Sequence, residues 1–113
     1  MAHPESISAK QLAHRLQAGE PLLLVDVREK EELALAALPG VVHLPLSESQ
    51  NWLDKLPQLL GEDQNIVVIC HAGIRSWNFG CWLIETHGYK KVWNLVGGID
   101  AWSVQVDPAV PRY

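Results

Sequence analysis

Cysteine is scarce in this sequence: two residues, Cys70 and Cys81, in a chain of 113. That excludes a disulfide-built scaffold, which needs more pairs in a shorter or secreted chain. No CxxC pair is present, and His3, His14, His43, His71 and His87 never fall at ligand spacing. Neither a dithiol redox site nor a metal site is therefore expected. Basic residues are few as well. Nine Lys and Arg stand against thirteen Asp and Glu, a net charge of −4, with no basic cluster. Nucleic acid and anionic membranes are poor partners for such a surface. The one charge run, Glu29–Lys30–Glu31–Glu32, is short and mixed, as on a solvated helix face. Long apolar runs are missing, so no bilayer span is expected. Met1 to Ser8 lacks the basic-then-apolar layout of a signal peptide. These absences predict a soluble, cytoplasmic protein. No repeat, low-complexity stretch or linker divides the chain, which predicts one domain over 1–113, with its core at about 7–102 and an extended tail over 103–113.

What is present is alternation. Ser8 to Ala18 reads as a helix, with Ser8 as N-cap, Gln11 as its capping-box partner, Ile7 and Leu12 as a hydrophobic staple, and Gly19 as the stop. Further helices are predicted over Glu29–Ala37, Ser49–Leu56 (interrupted by Pro57), Ser76–His87, and about one turn over Ile99–Trp102. Between them lie short apolar runs: Leu22–Val27, Val41–Leu44, Ile66–Cys70 and Lys91–Val96. Unbroken runs of this kind suit strands buried on both faces. The pattern predicts an α/β fold, with a central parallel sheet of four to five strands and helices on both faces. Sites in such folds form at the carboxyl ends of the strands. That rule points to the residues after Val27, Leu44, Cys70 and Val96.

One segment there carries chemistry, Cys70–His71–Ala72–Gly73–Ile74–Arg75–Ser76. A cysteine ends a buried strand, a short loop follows, and a helix begins. The reactive form of cysteine is the thiolate. Free amides and the dipole at a helix N-terminus favour that anion, and the same amides can hold an anionic substrate or a persulfide. Gly73 allows a tight curl, Arg75 offers a forked donor for an oxyanion such as sulfite or sulfate, and Ser76 can cap the helix.

Four ordered motifs then resemble the rhodanese family of sulfurtransferases. CHAGIRS (Cys70–Ser76) is similar to its active-site loop CxxGxR[ST]. DVREKEE (Asp26–Glu32), LPGVVHLPL (Leu38–Leu46) and NLVGGIDAW (Asn94–Trp102) resemble its other signatures, in the family's order. The resemblance covers about Ile7 to Trp102. It implies a rhodanese-like fold and a thiosulfate-sulfurtransferase type of enzyme without cofactor. Cys70 would be the nucleophile and persulfide carrier. His71, Ala72, Gly73, Ile74, Arg75 and Ser76 would form the substrate-binding loop, with Arg75 on the donor's sulfonate. The implied partners are a small donor (thiosulfate or a persulfide), a thiol or cyanide acceptor, and protein donors or acceptors of sulfur.

Other residues read more plainly. Asp26 and Arg28, just past a strand end, are candidates for pocket support. The stronger expectation is that they hold loops, with Arg28 and Glu32 as an i,i+4 pair. Cys81 reads as an inert helix residue packed among Phe79 and Leu83. Trp77 is a candidate docking surface for a protein acceptor, or else a cover for the core's edge. Two rival functions share the fold. A phosphatase or arsenate reductase would use Cys-x5-Arg, one residue longer than the Cys-x4-Arg here. A non-catalytic binding module would have no need of Cys70, Gly73 and Arg75.

Overall fold

The computed structural model describes residues 2–113. Five parallel strands form one sheet in the order β1 (Glu5–Ile7), β5 (Val92–Leu95), β4 (Asn65–Ile69), β2 (Leu22–Asp26), β3 (Val42–His43). The helices are α1 (Ala9–Gln17), α2 (Lys30–Leu35), α3 (Ser49–Trp52), α4 (Leu56–Leu59), α5 (Ile74–His87) and α6 (Gly98–Gln105). No helix among the described residues is long and apolar enough to cross a membrane.

Side chains on a strand alternate between faces, and the core divides accordingly. Val25 and Val27, with Ile66, Val68 and Cys70, pack on one face against Trp52 and Leu56 and against Phe79 and Leu83 of α5. Leu24, Val67 and Ile69 point the other way, toward Leu12 of α1 and Ile99 and Trp102 of α6. Burial on both faces explains why β2 and β4 read as unbroken apolar runs. The alternation also fixes the direction of Cys70, which follows Ile66 and Val68 onto the α5 face.

The expected start of α1 is present in full. Ser8 accepts from the Gln11 amide, the Gln11 side chain returns the bond to the Ser8 amide, and Ile7 and Leu12 are both buried in one cluster. Four expectations need correction. Glu5–Ile7, read as part of the polar N-terminal stretch, is an edge strand paired in register with Trp93–Leu95. Three residues are too few to show a period. The helix expected over Ser49–Leu56 is broken into α3, a 3₁₀ turn at Leu53–Lys55, and α4, and Pro57 sits in the first turn of α4 instead of ending a helix. This position suits proline, because first-turn amides have no intrahelical partner. Helix α5 starts at Ile74, so Gly73, with φ +100°, holds the N-cap position expected for Ser76. Finally, α6 runs to Gln105, beyond the single turn expected, and the chain then turns at Asp107–Val110.

Candidate active site

The site is built at the carboxyl ends of β4 and β5. Cys70 follows β4 and is 1% exposed. Its Sγ accepts from the amides of Gly73 (3.1 Å) and Ser76 (3.4 Å) and lies 3.2 Å from the Ser76 hydroxyl. Donors converging on one sulfur complement a negative charge there.

The loop holds this shape because it is gripped from behind. The carbonyls of Cys70 and His71 accept from the amides of Ile99 (2.9 Å) and Asp100 (3.1 Å) in the first turn of α6. With the carbonyls engaged there, the loop amides are left for the sulfur. Gly98 makes this approach possible. A Cβ at that position would lie 2.4 Å from both carbonyl oxygens, and its φ of +60° is left-handed. Asn94 of β5 adds a second tie. Its Nδ2 donates to the Gly73 carbonyl (3.2 Å), and its Oδ1 accepts from the Ser76 hydroxyl.

Arg75 is not a free charge. Its two terminal nitrogens donate to the Glu32 carboxylate at 2.6 and 2.9 Å. This pair holds the Glu32 carboxyl down at about 2, below its usual range. Glu32 is therefore the partner of Arg75, and the expected Arg28–Glu32 side-chain pair does not form. The Arg28 guanidinium, fully buried, turns instead to Asp26 (Nη2 to Oδ2, 2.8 Å) and to the Ala36 carbonyl (2.8 Å). In place of the expected Arg28–Glu32 pair, Arg28 thus bonds to Asp26 and to the Ala36 carbonyl across the β2–α2 loop. His43 adds to it through the Arg28 carbonyl at 2.6 Å.

The remaining loop residues lie at the rim. Ala72 is exposed, Ile74 is 72% exposed, and the His71 ring rests on Tyr113 with centroids 4.4 Å apart. Trp77, the candidate docking surface, is half-buried and stacked by His3 at 5.0 Å. Cys81 is half-buried on α5. Sequence reasoning missed Glu32, Asn94 and Tyr113 as site residues. Asn94 and Glu32 both stood inside quoted motifs and could have been found. The Arg75–Glu32 pairing spans 43 residues, and nothing local announces it.

The site is thus a strand-end thiol held by main-chain amides at a helix start, on a five-stranded parallel sheet. Residues 8–105 match the Rhodanese-like domain family, and the chain belongs to it. It is 39% identical over 90 residues to the Rhodanese-like/PpiC domain-containing protein 12, chloroplastic, of Arabidopsis thaliana, covering 80% of this chain but only 30% of that protein. It is 34% identical over 97 residues to a protein of Allochromatium vinosum named sulfurtransferase, covering 86% of each. A rhodanese-like domain protein of Staphylococcus aureus superposes with a TM-score of 0.73 at 26% identity, covering 87% of this chain and 90% of that one.

Proposed function

We propose that this protein is a sulfurtransferase that carries sulfane sulfur as a persulfide on Cys70. The observation that carries the reading is the Cys70 sulfur itself, accepting from two main-chain amides at the head of α5. The name of the Allochromatium relative supports the reaction class.

The chemistry is a double displacement. The Cys70 thiolate attacks the outer sulfur of a donor. With thiosulfate, the sulfur–sulfur bond breaks, its electron pair leaves with sulfite, and Cys70 retains a persulfide. An acceptor thiolate or cyanide then attacks the terminal sulfur, and the Cys70 thiolate departs. Splitting the transfer in this way replaces one difficult step by two easier ones. The amides of Gly73 and Ser76 face the Cys70 sulfur in both steps, where it attacks as a thiolate in the first and departs as one in the second. Arg75 remains the candidate anchor for an anionic donor. Its pairing with Glu32 weakens that pull, since a sulfonate must share or displace a carboxylate already in place. A persulfide donor, small or protein-borne, meets no such competition and is the preferred donor in this reading.

The test is the intact mass of reduced protein after exposure to thiosulfate or a low-molecular-weight persulfide, with Cys70→Ser as control. One added sulfur, absent in the variant and released by cyanide as thiocyanate, is the expected result. Absence of the adduct with every donor, mercaptopyruvate included, would refute the reading and bring aryl phosphate and arsenate forward as substrates.

A further inference from the structure

The tail returns to the site. After α6 the chain turns at Asp107–Val110, and Val110 packs on the core. Arg112 then grips Asp100 at 2.8 and 3.1 Å. This delivers Tyr113 to the mouth of the Cys70 loop. Its ring lies against His71, next to Cys70 in the chain. Its hydroxyl accepts from Arg28 Nη1 (2.8 Å) and donates to Glu32 Oε2 (2.7 Å), the carboxylate that holds Arg75. Tyr113 therefore reaches from the start of the loop to the partner of its far end.

The hold is light. The Arg112 and Asp100 side chains are 63% and 31% exposed, and Tyr113 is 40% exposed. Exposed ion pairs of this kind are easily exchanged for water. The closed position also carries a defect. Among the described residues, His71 Nδ1 is buried without a hydrogen-bond partner, on the ring that Tyr113 lies against.

We propose that Tyr113 is a specificity-determining residue of this site. In place, it narrows the approach to Cys70 to slim donors and acceptors; displaced, it admits a thiol carried on a protein. Arg112 and Asp100 set how often it is displaced. This inference rests on Cys70 being the reacting group, as proposed above.

Alkylation tests it without any sulfur chemistry, so its outcome stands apart from that of the persulfide experiment. Rates at Cys70 are followed by peptide mass for iodoacetamide, which is small, and fluorescein maleimide, which is bulky. Cys81 in the same molecule is the internal reference. If the tail stands open about a tenth of the time, Tyr113→Ala raises the maleimide rate at Cys70 about tenfold. The iodoacetamide rate then changes by less than about threefold, because that reagent already enters the closed form. Asp100→Asn, which keeps the backbone bond to His71 and loosens Arg112, raises the maleimide-to-iodoacetamide ratio by a smaller factor. This second variant keeps the test decisive if Tyr113→Ala also accelerates Cys81 by loosening the fold. An unchanged ratio at Cys70 in both variants overturns the proposal.

Discussion

Replacing Glu32 by Gln removes the carboxylate that ties α2 to the Cys70 loop while keeping the side chain's shape. The folded carboxyl sits at about 2 against an ordinary 4.5, chiefly because of its two bonds to Arg75. Undiluted, that difference corresponds to about 3 kcal/mol of stability at neutral pH. The Arg75 side chain is 39% exposed and that of Glu32 19%, so solvent screening reduces the expected loss to about 1–2 kcal/mol. The sign follows from the direction. A carboxyl depressed in the folded state stabilises above its unfolded value and ceases to do so as pH falls through its folded value. Urea titrations of wild type and Glu32→Gln should therefore differ by about 1–2 kcal/mol at pH 7, keep that gap down to about pH 5, and converge toward pH 2. A gap that stays constant from pH 7 to pH 3 would show that the loss comes from packing, and would refute the electrostatic reasoning.

Two further substitutions probe the cradle. Gly98→Ala places a methyl 2.4 Å from two backbone carbonyl oxygens at a left-handed φ, so denaturant titration should show a loss of at least about 3 kcal/mol. The surviving folded fraction should form less Cys70 persulfide per molecule. Ser76→Ala removes the hydroxyl shared between Cys70 Sγ and Asn94 Oδ1 and leaves a buried acceptor without its donor. A loss of about 1–3 kcal/mol is expected in the same titration, with slower sulfur loading of Cys70 by intact mass.

Much of this was legible in the sequence because it is written locally. The Ser8–Gln11 capping box closes within one helical turn. The runs LLLVD and NIVVI need no partner to reveal that they are buried on both faces, and the cysteine at a strand end precedes the loop that holds it. The errors cluster where a distant element decides. Strand β1 is three residues long and exists because β5 lies open beside it. Arg28 could choose between carboxylates two and four residues away, and the buried one, Asp26, took its guanidinium. Helix α5 begins two residues before Ser76 because Gly73 curls the loop more tightly than a capping serine would. Ser76 is thereby turned inward, onto the sulfur and Asn94. Tyr113 reaches its partners across 81 and 85 residues, a span that no reading of local pattern bridges.

The grip of α6 on the back of the loop has a consequence for the order in which the chain is made. The residues that form the sulfur's donors, Gly73 and Ser76, leave the ribosome almost together with Cys70. The amides that hold the Cys70 and His71 carbonyls belong to Ile99 and Asp100, about thirty residues later. At ~5–20 residues per second this is a delay of roughly 1.5–6 seconds. During that interval the sheet is unfinished, with neither β5 nor β1 yet paired. The loop is fixed only then, by a helix that offers no donor to the sulfur.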